Sequence, residues 1–517
     1  MEKFYITTAI DYANAPPHLG HAYEKVIADV IARWHRKQGE EVFFLTGTDE
    51  HGAKNARSAE KVGLTPSEFV AGHRAEFQKL LSRLNISNDD FIYTTDKERH
   101  WPGVEKIWGA LEAASDLYKA QYKGLYCVGH EAFVTEKDLV NGICIDHNQK
   151  PEVIEEENYF FRLSKYIPRV IEAIEKEEYR ILPKVRKNEV IAFLKSNIED
   201  ISFSRPARDI SWGIPVPGDS EHMVYVWADA LPNYLTALGY GRVDDNNFKK
   251  FWPADVHVIG KDILRFHAVI WPAMLIAVGL PLPRAAFVHG MILTGGQKMS
   301  KTIGNVIDPQ EIIDQYGVDA FRFFMTREIP FGEDGDLTRE RFAEVYEGSL
   351  AHGVGNLVSR VAAMILKYNN GVLARPPISI LAQVPTRRAI KQEVSDSRIL
   401  LEGESLERYF NLEVVDQYKK AMNEMRLTDA ITLLMNFFSL LDGYIQDYEP
   451  YRLVKTNPER ASAVLWNLAS HIIRTSQLLE PFMPETVNTI YSIFGSKDGE
   501  GDIVVKVHPA LFPSKKV

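Results

Sequence analysis

The feature that most constrains this fold is a switch of hydrophobic period near the N-terminus. Phe4–Ile10 is an apolar run of strand length. Val26, Ile27, Val30, Ile31 and Trp34 then recur at helical spacing, and Gly39 ends that run. Val42–Leu45 is strand-like again. Strand, helix and strand in this order predict a parallel sheet covered by helices. The theme returns later, with Val256–Ile259 as a strand, a helix through Phe266 and Ile270, and a strand over Phe287–Leu293 ended by Gly295-Gly296.

Two stretches depart from the theme. Residues 113–223 hold both cysteines, the acidic run Glu152–Glu157 and the turn-rich Pro215-Val-Pro-Gly218, and read as an insertion splitting the parallel-sheet domain. From about residue 347 the pattern is helical. Leu434, Phe437, Phe438, Leu441 and Ile445 make one apolar face, and Val464, Leu465, Leu468, Ile472 and Leu479 another. Asn369–Pro385, with Pro376-Pro377, is expected to be a loop between helices.

At 517 residues the chain exceeds one compact core. Its 45% hydrophobic and 25% charged residues are ordinary for a globular protein. The longest apolar run, Phe266–Leu282, is interrupted by His267, Pro272 and Pro281 and reads as buried core, so no membrane partner is expected. The net charge of −10 disfavours a general nucleic-acid coat protein but is compatible with a local basic face. Only two cysteines occur, which argues against a disulfide scaffold. With no basic-then-apolar leader at the first residues, a cytoplasmic setting is expected.

Two motifs suit phosphate chemistry. Pro16-Pro17-His18-Leu19-Gly20-His21 follows a predicted strand and opens a helix, whose free N–H groups and partial positive charge favour anions. His18 and His21, three apart, fall on one side of that terminus, and Gly20 leaves room for a nucleotide to approach the backbone. Lys298-Met299-Ser300-Lys301-Thr302 lies between Gly295-Gly296 and Gly304. Lysines on such a loop can neutralise charge growing on a leaving pyrophosphate. Taken singly, each has a bland reading: a Pro-initiated helix with incidental histidines, and a solvated basic loop. A third pattern, Cys127-Val-Gly-His130 and Cys144-Ile-Asp-His147, has the spacing of a tetrahedral Zn²⁺ knuckle.

Together the first two motifs resemble the His-Ile-Gly-His and Lys-Met-Ser-Lys-Ser signatures of class I aminoacyl-tRNA synthetases, with Leu19 and Thr302 as mild departures. Thr7-Thr-Ala-Ile-Asp-Tyr-Ala-Asn14, Gly47-Thr-Asp-Glu-His-Gly52, Tyr225-Val-Trp-Ala-Asp-Ala230 and Ile259-Gly-Lys-Asp-Ile263 resemble the methionyl-tRNA synthetases in particular. The resemblance implies that His18, His21, Lys298 and Lys301 act on the ATP phosphates, with Gly20 in the same phosphate-binding turn and Gly260 and Asp262 against the adenosine. Ile10, Tyr12, Trp227, Tyr234 and His267 would line a methionine pocket, and Asp49 would pair with the substrate ammonium. A flexible, polarizable thioether suits aromatic walls. Asn356 and Arg360, four apart on one helix face, would read the CAU anticodon, with Tyr451 stacking on a base where relatives usually carry tryptophan. His130 stands where relatives usually carry cysteine.

The implied layout is a Rossmann-like α/β catalytic domain in two halves, 1–112 and 224–291, split by a connective insertion at 113–223. A linking segment, 292–346, carries the lysine loop and leads to an all-α, helical-bundle anticodon-binding domain at 347–517. Implied partners are methionine, ATP with Mg²⁺, and initiator and elongator tRNA for methionine; a structural Zn²⁺ and a monomeric state are expected. The synthetases for leucine, isoleucine and valine share both motifs but generally carry a long editing insertion, for which 517 residues leave little room. A tRNA-binding scaffold with a dead site is opposed by the presence of both histidines and both lysines.

Overall fold

The computed structural model describes all residues except 1, 128–131, 135–138, 146–148, 300–305, 331, 382–383, 385–405 and 516–517. The chain divides into two compact units, Met1–Met291 and Ile292–Val517.

The first unit is built on a six-stranded sheet. Its strands are β1 (Lys3–Tyr12), β2 (Glu41–Asp49), β3 (Asp90–Tyr93), β4 (Arg180–Leu182), β5 (Val256–Gly260) and β6 (Ala285–His289), in the order β3-β2-β1-β5-β6-β4. Every pairing is parallel. Near-continuous burial along β1, β5 and β6 follows, because helices cover both faces of such a sheet. Helix α1 (Leu19–Lys37) connects β1 to β2, and Gly39 at φ 84° supplies the left-handed residue that ends it. The chain runs outward from β1 in both directions, so the sheet's switch point lies between β1 and β5. In open α/β sheets ligands settle there, beyond the carboxyl ends of the strands.

Within 113–223 the chain builds a four-stranded sheet from Leu117–Cys127, Ala132–Val134, Glu152–Phe161 and Ile201–Ser202. The acidic run is thus the start of a long strand paired antiparallel with Leu117–Cys127. Strand β4 also lies in this range, yet it pairs with β6 at the edge of the parallel sheet. Periodicity alone could not show this, because a three-residue strand is too short to carry a pattern.

The strand expected over Phe287–Leu293 is two strands. β6 ends at His289, and a separate hairpin, Ile292–Thr294 with Gln297–Lys298, opens the second unit. Gly295 and Gly296, at φ 62° and 72°, make its two-residue turn, a conformation that favours glycine at both positions. The rest of this unit is mainly helical. Leu427–Tyr448 and Pro458–Leu479 bury the two apolar faces read from the sequence. Burial of a side chain such as Leu434 or Ile445 contributes about 1.5–3 kcal/mol. The expected loop Asn369–Pro385 contains a short strand, Val372–Leu373, paired with Ile503–Val504, and one helical turn, Ile378–Leu381. A helical run over Arg339–Asn369 has the length and mean hydropathy, 1.2, of a membrane span, but 56% of that window is buried within the protein. It is a core helix, kinked at Gly353.

Candidate active site

The turn between β1 and α1 shapes the first part of the site. His18 is the N-cap of α1, and its Nδ1 accepts the Gly20 N–H at 3.1 Å. His21 Nδ1 accepts the His18 N–H at 3.1 Å. The two histidines satisfy the orphan donors of the helix start as a reciprocal capping box. Their rings stack at 3.7 Å. With both Nδ1 atoms accepting, the neutral rings carry their protons on Nε2, which leaves an N–H donor on each. Burial, followed by the nearby His18, Lys25 and His289, holds the His21 pKa well below its ordinary value. A Cβ on Gly20 would meet the His18 ring at 2.9 Å, so the glycine makes room for that ring.

Behind His21 lies a network that sequence patterning missed. Lys25 is 1% exposed, and its Nζ donates to Ala9 O at 3.0 Å, Asp11 Oδ1 at 3.0 Å and Glu24 Oε1 at 2.7 Å. Glu24 Oε2 meets His289 Nε2 at 3.1 Å. Ala9 is available because the β1–β2 register shifts between Thr7 and Ile10. Such a bulge releases a carbonyl from the ladder and re-aims the residues after it. Gly47 faces Ile10 across that pairing, and a Cβ there would strike the Ile92 carbonyl at 2.0 Å.

The expected methionine-pocket residues gather at the carboxyl end of the sheet. A π-helical turn, Phe266–Ile270, follows β5 and carries His267. His267 Nδ1 donates to Ile263 O at 3.1 Å, which fixes the tautomer, so Nε2 accepts from the Tyr234 hydroxyl at 2.8 Å. Burial pushes the His267 pKa down to about 4. Trp227 stacks on Phe266 at 3.7 Å and meets His267 edge-on at 6.1 Å. Beneath them Tyr234 packs at 4.2 Å on His257, itself held by Thr7 Oγ1 at 2.7 Å and Trp271 Nε1 at 3.3 Å. Ile10 and Trp227 pack, half-buried, against the same core. Asp49 and Tyr12 end β2 and β1 as register partners; Asp49 is 8% exposed and accepts from Thr94 Oγ1 at 3.4 Å.

A second buried set was also missed. Asp229, two residues after Trp227 on the same short helix, receives His51 Nδ1 at 2.7 Å and His100 Nε2 at 2.9 Å. Burial penalises its charge, but the two imidazoles outweigh that and hold its carboxyl below the ordinary value. The cluster ties the end of β2 to the helix of Trp227. His51 and Asp229 lie in segments quoted above, but nothing in their spacing reveals that they meet.

For the nucleotide, a Cβ on Gly260 would meet Asp262 Oδ1 at 2.5 Å, so this glycine lets the exposed Asp262 carboxylate fold back over the end of β5. Lys298 closes the Gln297–Lys298 strand, and Lys301 lies outside the described residues.

The zinc reading rests partly outside the described residues, since His130 and His147 are among those left out. Cys127 and Cys144 are both buried. Cys144 sits on a tight hairpin whose turn is Asn141-Gly142, both at positive φ, and its N–H donates to Gln149 O at 2.9 Å. Among the described residues no three metal-ligating side chains converge.

In the second unit, Asn356 is exposed at the start of the helix Asn356–Asn369. Arg360, one turn on, donates to Asp442 Oδ1 at 2.6 Å. Tyr451 is 39% exposed and bonds Glu449 at 3.0 Å. Glu449 raises its pKa, while the charge of Arg360 is close enough to pull the other way. The structure therefore brings Arg360 and Tyr451 to one surface.

Known proteins resemble this chain over nearly its whole length. The model of the "tRNA synthetases class I (M)" family matches residues 4–146 and 134–362, and that of the "Anticodon-binding domain of tRNA ligase" matches 411–516. The methionine–tRNA ligase of Rhizobium meliloti is 43% identical over 95% of this chain and 91% of its own length. That of Brucella suis is 41% identical over 95% and 92%. A structure of Mycobacterium tuberculosis methionyl-tRNA synthetase in complex with methionyl-adenylate superposes with a TM-score of 0.90 at 33% identity, covering 99% of this chain and 100% of that one. Its free-state structure gives 0.82 at 31% identity, with 100% and 99% covered. The chain belongs to the class I methionine–tRNA ligase family.

Proposed function

We propose that the protein activates methionine with ATP and transfers the methionyl group to the 3′-terminal adenosine of tRNA for methionine, initiator and elongator alike, releasing AMP and pyrophosphate. The observation that carries this reading is the cluster of Trp227, Tyr234 and a neutral His267, in the same unit as the stacked His18–His21 pair. It offers apolar, polarizable surface with the Tyr234 hydroxyl and both His267 nitrogens already paired, which suits a thioether and penalises a charged side chain. Ile10 and Tyr12 complete the pocket, and Asp49 takes the substrate ammonium as a charge-assisted partner.

The methionine carboxylate attacks the α-phosphate in line, and pyrophosphate leaves. The Nε2–H donors of His18 and His21, with Gly20 in their turn, stabilise the charge that grows on the phosphates, and Lys298 and Lys301 neutralise the leaving pyrophosphate. Gly260 and Asp262 hold the adenosine. A ribose hydroxyl of the tRNA then takes the methionyl group. Mg²⁺ held on the phosphates would supply further neutralisation, since such ions bind largely through substrate oxygens. Asn356, Arg360 and Tyr451 select the anticodon.

Two buried cysteines, one on a tight hairpin, fit half of a zinc knuckle, and His130 and His147 would complete it. A cytoplasmic setting accords with a sequence that has only two cysteines.

The direct test is incubation with methionine and labelled ATP without tRNA. Protein-bound methionyl-adenylate is expected, discharged on adding tRNA with a CAU anticodon. Hydrolysis of ATP without a methionyl-adenylate would contradict the reading.

A further inference from the structure

The Asp11–Lys25 pair is not accounted for by substrate binding. Lys25 is buried, and its three donors go to three acceptors at 2.7–3.0 Å: a strand carbonyl and two carboxylates. Holding an ammonium out of water is costly unless it is fully paired, and here it is. The strand carbonyl is Ala9 O, at the bulge, so the lysine fixes the point where β1 turns toward the site. Asp11, the other side of the pair, lies 4.0 Å from His21 Nε2. That nitrogen carries the ring proton, since Nδ1 accepts from His18.

We propose that Asp11 and Lys25 are positioning residues for the phosphate-binding histidines, an internal ion pair that sets the β1 bulge and holds a carboxylate beside the Nε2 edge of His21. The ionised carboxylate favours the tautomer with the proton on Nε2 and keeps that edge turned along one direction. Lys25, which Asp11 shares with Glu24, offsets part of that charge. The inference rests on the role given to His21 above.

The surroundings make the pair sensitive to pH. Asp11 is faced by His21, Glu24 and Lys25 from α1 and by His289 from the end of β6. Burial pushes its carboxyl up to about 7; Lys25 and His289 oppose this, and Glu24 adds to it. Above that value Asp11 is ionised and accepts from Lys25. Below it the carboxyl takes a proton, and the charge beside His21 is lost.

The experiment is methionine-dependent pyrophosphate exchange, with kcat and KM followed from about pH 5.5 to 9, in wild type and Asp11→Asn. The wild-type kcat is expected to fall as pH drops through about 7. In Asp11→Asn that limb should vanish, and kcat at high pH should fall about tenfold with the methionine KM changed less than about twofold, because the carboxylate that is lost faces Lys25 and His21. A limb that persists in Asp11→Asn would assign it to a histidine and overturn the proposal. So would a kcat equal to wild type, or a loss expressed only in methionine KM. Should Asp11→Asn melt before assay, Asp11→Leu/Lys25→Met removes both charges together and leaves Glu24 on His289. This variant should fold and show the same flat, lowered kcat; wild-type kcat in it would equally overturn the pairing. Absence of exchange in the wild-type protein would instead count against the proposed function.

Discussion

His267 illustrates what a single residue's environment decides. On an open surface an imidazole titrates near neutrality; here burial brings the value to about 4, and two hydrogen bonds fix one tautomer. A lowered histidine stays neutral as pH falls until that value is reached, so the methionine KM should show no ionisation from His267 between about pH 6 and 9. A KM that rose through pH 6.5 would contradict this. Removing the hydroxyl tests the same bond from the other side. Tyr234→Phe leaves His267 Nε2 an unpaired acceptor, which costs about 1–3 kcal/mol. The methionine KM is therefore expected to rise roughly fivefold or more, with a smaller change for ATP. Lys301→Ala is expected to act in the opposite manner, slowing adenylate formation in single-turnover assays while methionine affinity stays near wild type. Pyrophosphate charge grows only in the transition state, so that loss belongs to the rate.

At the scale of elements, the pieces with a strong period were legible in the sequence and the junctions were not. α1, β2, β5 and the helices Leu427–Tyr448 and Pro458–Leu479 lie where their apolar spacing puts them. β4 was invisible because three residues hold no period, and the break between β6 and the next hairpin because Gly290 interrupts an otherwise apolar run. The site shows the same division. His18 and His21 were legible because local sequence creates their geometry. The Asp229 cluster and the Lys25 network were not, since each joins residues far apart in the chain. The helix Asn356–Asn369 yields a prediction at this scale: Asp442 holds Arg360 through Nη1, and the proposed role sets the planar guanidinium against a base. Arg360→Ala should cut charging of CAU-anticodon tRNA by the equivalent of about 1–3 kcal/mol. Pyrophosphate exchange by the same preparation should stay near wild type. An equal loss in both assays would mean that the residue serves folding. In the insertion, purified protein should carry close to one zinc, and Cys127→Ser should lower that content; protein without zinc that has never met a chelator would contradict the knuckle.

At the scale of the whole molecule, the proposed roles divide as the chain does. The first unit holds the histidine pair, the aromatic cluster of Trp227, Tyr234 and His267, and Asp49, and the second begins with the hairpin that carries Lys298 and continues into the helices that carry Asn356, Arg360 and Tyr451. The central claim is that the pocket in the first unit selects methionine. The measurement that tests it most directly is amino-acid-dependent exchange of pyrophosphate into ATP, with methionine compared against leucine, isoleucine and valine. An apolar pocket distinguishes side chains that differ by about one methylene by roughly ten- to two-hundredfold, so methionine should be preferred by at least that margin. Exchange as fast or faster with any of the other three would contradict the account.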